Sequence, residues 1–191
     1  MAGLPSTAAW RLVDAHDGFE VVFLHQATDG VRLAGHSTGV EAGQAWSIGY
    51  ELALAPDWTT RTAHVTGRSA AGAYEVRLEA DGTGGWRVDG FLTPHLAGCL
   101  DVDLEGSALT NALPVHRLGL EVGARAEAPA AYVRAAGLGV ERLEQTYVRL
   151  EDRDGQRRYD YASPRFDYEG VLSYDEHGLV LEYPKIAVRF A

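Results

Sequence analysis

Apolar and polar residues alternate with a period of two along most of the chain. Over 46–54 (WSIGYELAL), Trp46, Ile48, Tyr50, Leu52 and Leu54 fall on one side, against Ser47, Gly49, Glu51 and Ala53. Over 74–80 (YEVRLEA), Tyr74, Val76 and Leu78 oppose Glu75, Arg77 and Glu79. The same rhythm runs through 116–122 (HRLGLEV), 166–174 (FDYEGVLSY) and 185–190 (KIAVRF). Successive side chains of a strand point to opposite faces, so these runs predict strands with one face in a core or cavity and the other in water. Compact turn pairs separate the runs: Asp29-Gly30, Asp81-Gly82, Asp89-Gly90, Asp154-Gly155 and His177-Gly178. Such pairs favour tight hairpins, and strands joined by hairpins are antiparallel neighbours.

Helix signals are sparse. The best candidate is 126–137 (AEAPAAYVRAAG), which Pro129 and Gly137 interrupt, so at most one short helix is expected. No linker, charge block or fixed-period repeat divides the chain, and residues 1–191 read as one all-β domain. A long antiparallel meander of a dozen or so strands twists, and a large twisted sheet curls or closes. An open or half barrel follows, with a concave face that side chains fill or that a ligand occupies.

Composition narrows the partners. The chain has 191 residues, 46% hydrophobic and 23% charged, as an ordinary globule does. Its 17 basic against 27 acidic residues leave a net charge of −10. So acidic a surface repels phosphate backbones and offers no polybasic patch to an anionic membrane, which excludes nucleic acid as the expected partner. No apolar run approaches the ~20 residues of a spanning helix, so no stable membrane insertion is expected. The first twenty residues lack the charged start and apolar run of a secretory signal, and Cys99 is the lone cysteine. Both point to the cytoplasm.

Candidate chemistry concentrates in 99–118 (CLDVDLEGSALTNALPVHRL). As a strand, 99–105 sends Asp101, Asp103 and Glu105 to one side and Leu100, Val102 and Leu104 to the other. Carboxylates two residues apart are spaced about 6.6 Å along a strand. That spacing suits the acid pair of a glycosidase, and it equally suits a cluster of structural carboxylates paired to arginine. Ser107, Thr110 and Asn111 suit a turn, after which Pro114 begins a new strand carrying His116 and Arg117. Arg117 then returns near the acidic strand. It either pairs with Asp101 or Asp103 to fix register, or forms with Asn111 a polar clamp at a pocket mouth. The seven histidines, from His16 to His177, fall into no zinc spacing, and no nucleophile elbow or phosphate loop is present. No metal or cofactor is implied. Tryptophans and tyrosines (Trp58, Trp86, Tyr161 and Tyr183 among them) fall mostly on the predicted strands. Those that line a cavity would suit an amphiphile with an acyl tail and a sugar or other polar head.

Several ordered blocks together resemble a bacterial family of uncharacterised proteins named for glycolipid binding. They are PDWTTR (56–61), GWRVDG (85–90), LAGCLDVDLEGSALTNALPVHRL (96–118), QTYVRL (145–150), YDYAS (159–163) and DEHGLVLEYPKIAVRF (175–190). The resemblance implies an all-β open barrel similar in outline to lipoprotein carriers, and it brings no catalytic residues. Ala108 and His116 depart from the proline and arginine associated with those places.

The expected function is that of a binding protein, without catalysis, holding a lipid or glycolipid in the concave face as a monomer or homodimer. The candidate ligand-binding residues are Asp101, Asp103, Asn111, His116 and Arg117, with Trp58 and Trp86 as walls. The alternative is a carboxylate-dependent hydrolase of a carbohydrate or glycolipid, drawing on the 101–105 acids with His116 as proton shuttle.

Overall fold

A computed structural model describes residues 3–14, 17–41 and 43–191. His16, one of the scattered histidines, lies outside the described residues. Eight strands run in sequence from the N-terminus: β1 (Thr7–Leu12), β2 (Asp17–Ala27), β3 (Gly30–Glu41), β4 (Gln44–Leu54), β5 (Thr60–Ser69), β6 (Gly72–Ala80), β7 (Trp86–Val88) and β8 (Phe91–Leu92). Then come β9 (Asp101–Leu104), one helix α1 (Ala112–Leu118), β10 (Arg125–Glu127), β11 (Ala130–Val133) and β12 (Val140–Leu143). The chain closes with β13 (Thr146–Arg153), β14 (Gln156–Ser163), β15 (Tyr168–Tyr174), β16 (Val180–Tyr183) and β17 (Ala187–Arg189).

The alternating runs become one large antiparallel sheet of 14 strands, ordered β10-β13-β14-β15-β16-β17-β1-β2-β3-β4-β5-β6-β7-β8. Hairpins join most neighbours, as the Asp-Gly pairs predict. The two arms of the meander meet where β17 pairs with β1, setting Trp10 opposite Arg189. The sheet curls without closing, since β10 and β8 end it on either side. Its inner face is the apolar one, with Leu33, Ile48, Leu52, Val65 and Leu78 all but fully buried.

The segment between β8 and β13 fills much of the hollow. β9, β11 and β12 form a separate three-stranded sheet, β9 parallel to β11 and β11 antiparallel to β12. Every residue of β9 and β11 is buried. β9 hangs from the large sheet through the Leu100 carbonyl, which accepts the Thr60 N–H at 3.0 Å, and through Thr60 Oγ1, which accepts the Val102 N–H at 3.0 Å. Leu104, Leu109 and Leu113 complete a continuous core with the inner face.

Two local expectations are corrected here. Residues 126–137 form β10 and β11, not a helix. Pro129 separates the two strands, and the run Ala130–Val133, buried on both faces, lacks alternation for that reason. The helix lies instead at 112–118, where 116–122 reads as a strand and Pro114 as its start. Pro114 falls in the first turn, where a helix needs no N–H. Gly119, at φ 52°, caps the end in the left-handed region, and His116 and Arg117 occupy the last turn, where cations favour the helix dipole.

Candidate functional site

The three alternating acids of β9 and its continuation are each held by a different partner. Asp101 is gripped by the Arg117 fork, Nε to Oδ1 at 2.9 Å and Nη2 to Oδ2 at 2.6 Å, with the carboxylate 2% exposed. Asp103 accepts the Thr110 hydroxyl at 2.6 Å and the Gln145 amide at 2.6 Å. Glu105 accepts the Ala135 N–H at 2.7 Å and Arg134 Nε at 3.3 Å. Helix α1 thus returns Arg117 to Asp101, and the turn before it returns Thr110 to Asp103.

Burial pushes the Asp101 carboxyl up, and the Arg117 guanidinium opposes that shift. Asp103 lacks a cation. Burial raises it to about 6 against the hydrogen bonds of Thr110 and Gln145.

Asp103 also forms part of the floor of a cavity of about 300 Å³, together with Ser107 and Asn111. Asn111 is itself pinned: its Oδ1 accepts the Tyr147 hydroxyl at 3.0 Å, and its backbone carbonyl accepts the Tyr174 hydroxyl at 3.3 Å. Aromatic rings make the walls. On the large-sheet side Tyr161, Tyr168 and Tyr183 pack mutually at 5.3–5.9 Å between ring centroids. Across from them Tyr132 and Phe166 pack edge to face at 5.5 Å. Glu41, Glu105 and the apolar Leu104, Leu143 and Ile186 also line it, and among the described residues no Arg, Lys or His takes part.

A further buried carboxylate positions the floor. Glu20, on the inner face of β2, is 0% exposed. One of its oxygens accepts the Tyr50 hydroxyl at 2.7 Å and the Ser107 hydroxyl at 2.5 Å; the other accepts the Ala108 and Leu109 N–H groups at 2.7 and 3.3 Å. Gly106, at φ +76°, lays this turn against Trp46, whose ring would stand 2.3 Å from any Cβ there.

Of the residues singled out in the sequence, Asp103 and Asn111 line the cavity, and Asp101 and Arg117 pair outside its lining. His116 stacks on Trp58 with ring centroids 3.6 Å apart and planes within 2°, beside a second cavity beyond α1. Burial pushes the His116 imidazole down to about 4. Trp86 is buried in the core, its indole N–H donating to the Cys99 carbonyl at 2.8 Å. Sequence reasoning missed Glu20, Tyr132, Gln145, Phe166 and Tyr168. For Phe166 and Tyr168 the signal was present in the period-two run 166–174; for the others only the fold assembles them. A wider cleft of about 430 Å³ under the β7–β8 hairpin mixes apolar residues such as Val76, Phe91 and Leu138 with polar ones that are all exposed or half-exposed, Glu75, Asp89, Thr93 and His95, and so lacks a buried polar floor.

A curled, unclosed antiparallel sheet with a segment of its own chain in the hollow, and an aromatic cavity left beside that segment, defines a barrel-like protein. The chain belongs to the family described as "Putative glycolipid-binding", whose model matches residues 7–189. It is similar to the crystal structure of a DUF1089 family protein from Pseudomonas aeruginosa, 32% identical, with a TM-score of 0.75 over 90% of this chain and 92% of that one. It shares its fold with a beta-barrel-like protein of a domain of unknown function from Brucella abortus, 10% identical, with a TM-score of 0.51 over 96% and 92% of the two chains. No curated protein matches the chain. Among the described residues, no helix is long and apolar enough to cross a membrane.

Proposed function

We propose that the protein binds a glycolipid-like amphiphile, with the polar head on the Asp103–Ser107–Asn111 floor and the apolar part leaving between the aromatic walls. The observation that carries this reading is the combination of a buried, cation-free carboxylate with five aromatic rings around one cavity. Aromatic faces stack on the C–H face of a sugar ring, and a fixed carboxylate accepts its hydroxyls, with each polar contact placed by the protein in advance. About 300 Å³ is at the small end of ligand sites, which fits a sugar-sized head with its tail passing Phe166 toward solvent. The lone thiol, Cys99, buried and pushed up to about 11 by desolvation, supports work in a reducing compartment such as the cytoplasm.

The hydrolase reading draws on the raised Asp103, since a general acid needs such a shift. Against it, both Asp103 oxygens already accept hydrogen bonds, and Glu105 Oε2 is held by a backbone N–H. Groups so engaged serve binding better than proton transfer.

Octyl glucoside below its micelle concentration is the test ligand, with lipid extraction and native mass spectrometry of the purified protein alongside. Saturable binding that weakens in F166A, a change at an exposed ring, is the expected result. If F166A binds as the parent does, or if neither octyl glucoside nor an extracted lipid binds, the reading fails. Turnover of chromogenic glycosides that D103N abolishes would instead favour the hydrolase.

A further inference from the structure

Helix α1 runs from Asn111, on the floor of the aromatic cavity, to a second cavity of different chemistry. This cavity, of about 300 Å³, is lined by Val115, His116, Gly119, Arg149, Arg157 and Tyr159. Arg149 and Tyr159 face each other across β13 and β14, and Arg157 lies two residues before Tyr159 on the same face. Arg149 stacks its guanidinium 5.3 Å from the Tyr159 ring centre and is 8% exposed. Both arginines act on the Tyr159 phenol electrostatically, and Arg157 also acts on His116, so the three side chains converge on one space.

Arg149 is tied down: Nη2 donates to Asp152 at 2.5 Å, and Nη1 to the Leu150 carbonyl. The Arg157 side chain has no hydrogen bond or ion pair among the described residues, although acidic residues outnumber basic ones in this chain. Every other arginine in that position is exposed except Arg158, which alternation puts on the opposite face of β14. A half-buried guanidinium with all five donors free, beside a second held in place by its own partners, leaves one positive charge without a counter-charge in a cavity.

We propose that this second cavity binds an oxyanion, a phosphate or carboxylate group, through the forks of Arg157 and Arg149. Guanidinium forks match the paired oxygens of such groups, and a partly desolvated site strengthens each charge-assisted bond. The group comes either from a free small anion or from the head of an anionic lipid. The site shares no lining residue with the aromatic cavity, whose lining among the described residues holds carboxylates and no cation.

Calorimetric titration with inorganic phosphate at fixed ionic strength, and separately with hexyl phosphate, tests the proposal. Both the parent protein and R158Q should bind phosphate saturably, and R157Q should bind it at least about tenfold more weakly, the scale of a lost charged hydrogen bond. Tighter binding of hexyl phosphate than of phosphate assigns the site to a lipid head, and equal binding assigns it to a free oxyanion. R157K keeps the charge and loses the fork, so it should weaken binding by an intermediate factor; it carries the test if R157Q does not fold. The proposal is overturned if neither compound binds saturably, if R158Q weakens binding as much as R157Q, or if R157K leaves it unchanged.

Discussion

The Glu20 carboxylate accepts the Ala108 backbone N–H at 2.7 Å, joining the centre of the large sheet to the turn that carries the cavity floor, 88 residues later. Tyr50, Ser107 and Leu109 also donate to it, so one side chain satisfies four donors in a dry interior. Leaving buried donors unmet costs roughly 1–3 kcal/mol each. Glu20→Ala should therefore destabilise the protein by about 3 kcal/mol or more. Glu20→Gln should cost less than half as much, because its carbonyl can still meet the N–H groups and the two hydroxyls can turn to accept. Urea denaturation of both variants checks the order; equal losses would mean that the amide cannot replace the carboxylate as acceptor for these four donors.

The Asp101–Arg117 pair makes a different prediction. Removing one partner of a buried ion pair strands the other, at about 3–5 kcal/mol, whereas replacing both by apolar side chains is often close to neutral. Arg117→Met should be strongly destabilising, and adding Asp101→Leu should recover most of the loss. A double-mutant cycle in urea measures the coupling, and additive losses would contradict the pairing.

The His116 imidazole predicts a loss of stability in acid. Its folded pKa is about 4, against an ordinary value near 6.5, because burial against Trp58 disfavours the cation. Above pH 6.5 both folded and unfolded states are neutral and the group contributes nothing. As the pH falls from 6.5 toward 4 the unfolded chain takes up the proton first, so stability drops by about 2 kcal/mol at pH 5. His116→Phe keeps a ring against Trp58 and cannot titrate. The stability difference between parent and variant, read in urea at pH 7.5 and pH 5, should shift against the parent by that amount.

How much of this was legible in the sequence depends on what each residue packs against. Residues 46–54, 74–80 and 166–174 face water on one side only, so their alternation survives into the sheet. β2 is the exception: it exposes Phe19, Val21 and Phe23 and buries Glu20, so its pattern hides the acid that anchors the turn. Inside the hollow the signal fails for another reason. β9 and β11 are buried on both faces, and α1 has seven residues, too few for a helical period to outweigh the period-two reading of His116–Leu118–Leu120. The Arg117–Asp101 pairing was legible as a possibility because the chain doubles back within sixteen residues. Tyr132 reaches Asp103's cavity, and Gln145 reaches the Asp103 carboxylate, only through the tertiary fold.

Asp103 works against His116 over the same pH range, and that makes its contribution measurable. Its folded pKa is about 6, raised by burial, whereas an unfolded aspartate titrates near 3.9. Below pH 3.9 both states hold the proton and no penalty exists. As the pH rises from there, the unfolded chain loses its proton first, so stability declines until about pH 6 and stays lower by roughly 3 kcal/mol above it. Asp103→Asn removes the charge, and its carbonyl can still accept the Thr110 hydroxyl while the Gln145 amide turns over. Relative to the parent, this variant should gain stability steadily between pH 4 and pH 6 and hold a constant advantage at higher pH. Glu20 and Asp101, also raised by burial, are common to both proteins and cancel in the difference. In the parent, the rise that Asp103 contributes as pH falls offsets part of the loss from His116. Asp103→Asn alone should therefore be abnormally acid-sensitive, and adding His116→Phe should flatten the profile again. Urea midpoints of the four proteins at half-unit steps from pH 4 to pH 8 would settle it; an Asp103→Asn curve parallel to the parent's would mean that this carboxyl titrates normally and that the cavity floor is wetter than its burial implies.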